Sequence, residues 1–164
     1  MAHLQSQMKG GYYPLPPEHL PALASAFSPA KQGRPDVGGR ILDPCAGEGD
    51  ALQHLADAWG LTPYANEIDP TRFAACREKF GMERAVCGDL MTLRAPNRAF
   101  SVVYINPPYA ENSGRADEKR REFEMLVHAW KWAQDGGFVL WVVYAHHMTE
   151  RAATFLVKHS SRVD

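Results

Sequence analysis

The sequence has few cysteines, no long apolar run and almost no net charge. Its three cysteines, Cys45, Cys76 and Cys87, are widely spaced, and none forms a C-x-x-C pair. This argues against a disulfide framework or a cysteine zinc site and indicates a reducing compartment. No stretch approaches the roughly 18 apolar residues that a membrane-spanning helix needs, and the early residues lack the apolar run of a signal peptide. We therefore expect a cytoplasmic protein with no membrane partner.

The charge balance also limits the function. Eighteen basic and nineteen acidic residues leave a formal net charge of −1, so no overall positive field attracts a phosphate backbone. If nucleic acid is the substrate, a local basic patch or another domain must supply that attraction. Apolar residues make up 45% and charged residues 23% of the 164 positions, which is typical of one globular domain.

The first forty residues differ in composition from the rest. Proline and glycine are frequent there, so the segment can hold only a short helix, predicted over residues 18–27. We divide the chain into an N-terminal segment, 1–39, and a catalytic core, 40–164.

Strands and helices alternate through the core. The predicted strands cover 40–43, 61–66, 85–87, 100–105 and 138–144, and the predicted helices cover 51–59, 70–80, 119–134 and 149–159. Several strands are apolar throughout, which is typical of a sheet buried on both faces. The sequence therefore predicts an α/β fold, a mostly parallel sheet with helices on both sides.

A glycine-rich turn follows the first strand. Such a turn lets the backbone approach a ligand, and the helix after it offers unpaired N–H groups. Glu67 ends the second strand, twenty residues after Gly47, where Rossmann-type sites hold a ribose diol. Asp89, after the third strand, is placed to accept a hydrogen bond from an adenine amine, although Gly-Asp is also an ordinary turn. The turn comprises Asp43, Pro44, Cys45, Ala46, Gly47, Glu48 and Gly49.

The segment Asn106-Pro107-Pro108-Tyr109 follows the apolar fourth strand. Two prolines stiffen the backbone and remove its donors, which leaves carbonyls that only accept. The amide of Asn106 adds an acceptor, and the ring of Tyr109 offers a stacking face. This combination suits a planar base held by its ring and its amine.

These elements, in this order, resemble the N-P-P-Y amino-methyltransferases of the Rossmann-like class. Residues 11–18, Gly-Tyr-Tyr-Pro-Leu-Pro-Pro-Glu, resemble the segment that precedes the cofactor motif in gamma-ordered DNA adenine methyltransferases, with Leu15 where the family usually has Thr. The resemblance implies S-adenosylmethionine as cofactor and S-adenosylhomocysteine as product. It implies cofactor contacts by Tyr13, Pro14, Asp43, Pro44, Cys45, Ala46, Gly47, Gly49, Glu67, Ile68, Asp89, Leu90 and Asn106.

By the same resemblance, Asn106 and the Pro107 carbonyl accept hydrogen bonds from the exocyclic amine of adenine in DNA. Tyr109 stacks on the flipped base, and Pro107 and Pro108 stiffen the catalytic motif. The amine nitrogen attacks the sulfonium-bound methyl in line, which requires no metal. A restriction-linked and a regulatory role both stay open.

Other substrates remain as alternatives. N-P-P-Y also occurs in enzymes that methylate guanine amines in ribosomal RNA or a glutamine amide in release factors. A different alternative is an inactive cofactor-binding scaffold that needs a partner. Methyltransferases of this class normally add two strands after the fifth, and these are not evident here. We expect the apolar fifth strand to be covered by a C-terminal target-recognition domain, a partner chain or self-association.

Four further features have ordinary explanations. We expect the adjacent His146 and His147 to end a strand and point to opposite faces, which disfavours a metal site. Trp130, Trp132 and Trp141 are expected in the core. The mixed charges at residues 115–124 predict a solvated helix start. Residues 111–116 are predicted to form a loop that closes on the base.

Overall fold

The computed structural model describes residues 13–27, 38–108 and 116–161. Five strands form one sheet in the order β3-β2-β1-β4-β5, and every neighbouring pair is parallel. The strands are β1 (Arg40–Asp43), β2 (Thr62–Glu67), β3 (Ala85–Cys87), β4 (Phe100–Ile105) and β5 (Ala133–Trp141). The helices are α1 (Leu20–Ala26), α2 (Asp50–Trp59), α3 (Pro70–Phe80), α4 (Ala116–Trp130) and α5 (Glu150–His159). Single 3-10 turns cover Pro17–His19, Leu90–Thr92 and Ala145–His147.

Helices cover the sheet on both faces, as the sequence predicts. Adjacent strand residues point to opposite faces, and Ile41 and Leu42 accordingly belong to two separate buried clusters. One cluster contains side chains of α2 and α3, such as Leu55 and Phe80. The other contains side chains of α4 and α5, such as Leu126. The parallel, doubly covered α/β architecture is thereby confirmed.

Local signals explain where the helices near the cleft begin and end. Asp69 caps α3, because its carboxylate accepts hydrogen bonds from the N–H groups of Thr71 at 3.0 Å and Arg72 at 2.9 Å. The bond from Arg72 is the main reason why the pKa of Asp69 is lowered. Helix α2 ends at Gly60, whose φ of 64° lies in the left-handed region that glycine adopts readily.

The predicted boundaries around β5 were wrong. Helix α4 ends at Trp130 instead of residue 134, and β5 covers Ala133–Trp141 instead of 138–144. The strand begins early because Phe100 pairs with Ala133. The register then shifts before Val102 pairs with Phe138, and Gly136 adopts a φ of 75° in this interval. A glycine pair that looks like a helix stop is therefore part of an irregular strand.

The three tryptophans of this region pack as predicted. Trp132 is fully buried, and Trp130 and Trp141 pack against the same cluster. In the part of the chain that the structure describes, no helix is both long and apolar enough to cross a membrane.

Candidate cofactor and acceptor site

A cleft opens at the carboxyl edge of the sheet, where the strand order reverses between β1 and β4. Ligands bind at this switch point in open α/β sheets because loops from both halves diverge there. The cleft encloses about 830 Å³ with its open mouth included. Of the predicted residues it is lined by Tyr13, Pro14, Asp43, Pro44, Cys45, Ala46, Glu67, Ile68, Asp89, Leu90, Asn106, Pro107 and Pro108.

Gly47 and Gly49, which were also predicted to contact the cofactor, do not line this cleft. Gly49 has a φ of 85°, and a Cβ there would lie 2.7 Å from the ring of Phe80. The Gly47 carbonyl accepts a hydrogen bond from the Cys76 thiol at 3.1 Å. Both glycines therefore let α2 and α3 pack closely beneath the turn. Their contact with a cofactor stays a prediction.

Glu67 holds the turn from the end of β2. Its Oε2 accepts the Gly47 N–H at 2.7 Å, and its Oε1 accepts the Asp69 N–H at 2.8 Å. Oε1 also accepts both Nε of Arg72 at 3.2 Å and Nη2 at 2.9 Å. Only 5% of the Glu67 side chain is exposed. The carboxylate predicted to bind a ribose is thus already positioned by three residues of its own chain.

Asn66 links the two turns on either side of Glu67. Its Nδ2 donates to the carbonyls of Pro44 and Gly88, both at 3.0 Å. Its Oδ1 is buried and accepts no hydrogen bond from the described residues. The amide therefore fixes the spacing between the first and third cofactor-like turns, a role that the sequence did not predict.

Asp43 lies beneath the first turn and is fully buried. Its Oδ1 accepts the Cys45 N–H at 2.9 Å. Burial raises the pKa of Asp43 to about 8, and the negative charge of Glu67 adds to this rise, whereas the bond from Cys45 opposes it. At neutral pH Asp43 is therefore mainly protonated.

The cysteines beside this turn are poor nucleophiles. Burial is the main cause of the raised pKa of both thiols. The pKa of Cys45 lies well above its usual range, and the pKa of Cys76 rises to about 12.

Asp89 and Ile68 form the opposite wall of the cleft. Asp89 accepts the Met91 N–H at 2.9 Å and so caps the turn Leu90–Thr92, which agrees with the turn alternative considered for this carboxylate. Ile68 is 60% exposed although it lines the cleft. An exposed apolar side chain beside a carboxylate fits a planar, amine-bearing ring. Leu90 is mostly buried and contributes to the floor.

Asn106 connects the segment after β4 to the N-terminal segment. Its Nδ2 donates to the Tyr13 carbonyl at 3.0 Å, across 93 residues of sequence. This bond establishes which side of the amide carries the oxygen. Pro107 and Pro108 follow it along the cleft wall. Tyr109 and the predicted closing loop, except for Ala116, lie outside the described residues.

Several cleft residues were missed. They are Leu15, Ala51, Asn66, Arg72, Gly88, Tyr104, Arg121 and Met125. Arg72 had a readable signal, because a cation in the first turn of α3 lies close to an acid at the end of β2. No sequence signal identifies Arg121 or Met125, because α4 reaches the cleft only through tertiary packing.

Two expectations about ionisable residues need correction. One concerns the histidine pair, and the other concerns Glu122 alone, because Arg121 and Glu124 of the same helix start are exposed as expected. His146 and His147 are in the turn Ala145–His147, and their rings lie 4.3 Å apart instead of on opposite faces of a strand. Glu122 is 3% exposed instead of solvated, and each of its oxygens contacts His147 Nδ1, at 2.9 and 3.1 Å. Among the described residues no cluster of three or more His, Cys, Asp or Glu side chains could hold a metal ion.

The strand order and the position of the cleft define the fold of a Rossmann-like methyltransferase. Residues 1–162 match the uncharacterised methyltransferase family DUF6094, and the chain belongs to that family. No curated protein has a matching sequence.

Solved structures share the fold at low identity. A methyltransferase dependent on S-adenosylmethionine (SAM) from Geobacter sulfurreducens, in complex with S-adenosyl-L-homocysteine, is 17% identical with a TM-score of 0.55 and covers 84% of this chain. Another from Thiobacillus denitrificans, with the same ligand, is 15% identical with a TM-score of 0.57 and covers 83%. TrmN from Thermus thermophilus is 26% identical with a TM-score of 0.52 and covers 74%. The chain spans 53%, 53% and 35% of the length of these three proteins, respectively.

Proposed function

We propose that this chain transfers a methyl group from S-adenosylmethionine to the exocyclic amine of adenine in DNA. Membership of a methyltransferase family supports methyl transfer. The sequence Asn106-Pro107-Pro108-Tyr109, directly after β4, supports an amine acceptor. The resemblance of residues 11–18 to the gamma-ordered enzymes favours adenine in DNA over the other amine acceptors.

The residues of the cleft fit the proposed cofactor. It supplies a methyl group made electrophilic by the positive sulfur. Glu67 and Asp89 place carboxylates in the cleft, and Ile68 adds an exposed apolar side chain to its lining. In our proposal Glu67 accepts hydrogen bonds from the ribose diol, Asp89 accepts one from the adenine amine of the cofactor, and Ile68 packs on the adenine ring. The buried, protonated Asp43 adds no second charge beside Glu67.

The acceptor side depends on one observation, the hydrogen bond from Asn106 Nδ2 to the Tyr13 carbonyl. It orients the amide by engaging its nitrogen, so that Oδ1 is the atom with which Asn106 accepts. The Pro107 carbonyl follows in the chain, and Pro107 and Pro108 have no N–H to compete for it. Two acceptors around the target amine would favour the pyramidal nitrogen, whose lone pair would bond to the methyl carbon as the carbon–sulfur bond breaks. The sulfur would keep the electron pair of that bond, and the amine proton would pass to solvent.

A transfer assay with tritiated cofactor tests this proposal. DNA, ribosomal RNA and a release-factor protein are offered in parallel, and labelled nucleosides are identified by mass spectrometry. We expect N6-methyladenine in DNA. Asn106→Ala should lose most of the turnover, whereas Asn97→Ala, an exposed asparagine before β4 and remote from the cleft, should retain it. Label in guanine of RNA or in protein glutamine, but not in DNA, would overturn the adenine assignment.

The same variants separate catalysis from cofactor binding. Losing the bond to Tyr13 should cost Asn106→Ala at most about 0.5–1.5 kcal/mol of cofactor affinity, because a neutral hydrogen bond contributes that much. A much larger loss, measured by calorimetry, would place Asn106 in the cofactor site instead of the acceptor site.

A further inference from the structure

Three aromatic side chains meet just after β5. The rings of Tyr144 and His146 are stacked, with centroids 5.4 Å apart and planes inclined by 22°. The ring of His147 meets both of them edge-on, at 5.5 Å from Tyr144 and 4.3 Å from His146. Tyr144 is 47% exposed, and His146 is exposed as well. We call Tyr144 and His146 the stacked pair.

The stacked pair is held by a buried ionisable pair. Glu122 of α4 is almost completely buried and contacts His147 Nδ1 with both oxygens. Only 11% of the His147 side chain is exposed. Burying two ionisable groups is costly unless they are well paired, and here both Glu122 oxygens contact the same imidazole nitrogen. The turn Ala145–His147 is thereby fixed against α4.

The strand that leads to the stacked pair runs beside the strand that leads to Asn106–Pro108. Ile105 pairs with Trp141 in the sheet, and the Val142 N–H donates to the Ile105 carbonyl at 2.8 Å. The segments that follow β4 and β5 therefore leave the carboxyl edge of the sheet side by side. The first leads to Asn106–Pro108 and the second leads to Tyr144. Arg121, the residue before Glu122, is exposed and lines the same cleft.

We propose that the stacked pair is a platform for a DNA base that neighbours the methylated adenine. This inference rests on the proposed function and names a contact of the same acceptor. Aromatic faces bind bases of any sequence by stacking, and a basic side chain such as the exposed Arg121 of the cleft attracts the phosphate backbone. Such a local contact is needed here, because the formal net charge of −1 gives no overall attraction to DNA.

The test uses a single-stranded DNA with 2-aminopurine beside the target adenine, because stacking quenches its fluorescence. Tyr144→Ala should weaken DNA binding about 5- to 150-fold and abolish quenching, whereas Tyr144→Phe should stay within about 2-fold, since the ring remains. His146→Ala should be intermediate, with the exposed His159→Ala as its matched control. Calorimetry with S-adenosylhomocysteine should give equal affinities for all variants, which shows that the cleft is intact.

The outcomes distinguish this proposal from the proposed function. If the unmodified chain methylates DNA but Tyr144→Ala binds and quenches normally, the platform is refuted and the function stands. A chain that binds no DNA refutes both. Equal losses in Tyr144→Phe and Tyr144→Ala would assign the effect to the hydroxyl group and refute stacking.

Discussion

Replacing Glu67 by glutamine removes one charge from the cleft and leaves the side chain nearly the same size. The carboxylate accepts hydrogen bonds from two backbone N–H groups and from two nitrogens of Arg72. An amide has one oxygen, so its NH₂ group must face either Gly47 or the side of Asp69 and Arg72. In the first orientation one buried donor, the Gly47 N–H, loses its acceptor, which costs about 1–3 kcal/mol. The second orientation leaves three donors without an acceptor and costs more.

The ion pair with Arg72 adds a smaller amount. Its charge-assisted bonds become neutral ones, and 18% of the Arg72 side chain is exposed, so solvent screens part of the loss. We expect the free energy of unfolding to fall by roughly 2–4 kcal/mol in total. For a chain of this size that corresponds to a drop in Tm of at least about 4 °C.

Cofactor affinity gives a second, independent measurement. If Glu67 accepts bonds from a ribose diol, Glu67→Gln should bind S-adenosylmethionine with about 1–3 kcal/mol less free energy, a loss of roughly 5- to 150-fold. Thermal melts with and without cofactor and calorimetry measure both effects. Asp57→Asn, an exposed carboxylate bonded to Gln53, is the matched control and should change stability by less than about 0.5 kcal/mol.

The two measurements can fail separately. An unchanged Tm would refute the hydrogen-bond reasoning for the turn. A lowered Tm with unchanged cofactor affinity would show that Glu67 only holds Gly47 and Arg72, and the ribose role would be lost.

Three further predictions follow from the same site and sheet. Because burial raises the pKa of Asp43 to about 8, the folded chain keeps a proton between about pH 4 and 8 that the unfolded chain has lost. The free energy of unfolding should therefore decrease as pH rises through this window. Urea unfolding at several pH values should show a weaker pH dependence of this free energy for Asp43→Asn than for the unmodified chain. An equal pH dependence in the two proteins would contradict the burial argument. Tyr109→Phe should keep most methyl transfer and Tyr109→Ala should lose it, since stacking needs only the ring; equally inactive variants would implicate the hydroxyl. The outer edge of β5 has no neighbouring strand among the described residues, and an unpaired strand edge favours pairing with another chain, so the protein should self-associate. Light scattering that shows a monomer over a wide range of protein concentrations would refute this.

The sequence determined the order of the elements and the edge at which the site forms. Apolar strands alternating with amphipathic helices are local patterns, and parallel strands place all their carboxyl ends at one edge. Asp43, Glu67, Asp89 and Asn106 each follow or end a strand, so their convergence in one cleft could be predicted without coordinates.

Tertiary structure alone decided how these residues are held. The bond from Asn106 to Tyr13 joins positions 93 residues apart, and the contact of Glu122 with His147 joins two elements whose packing no local pattern specifies. From the sequence, both residues of that pair are expected at ordinary surface positions. Likewise, Gly136 looked like a helix stop because its role depends on the register of β5 against β4. Local periodicity specifies which face of an element is apolar, but only the packed fold determines which polar groups are brought within hydrogen-bonding distance.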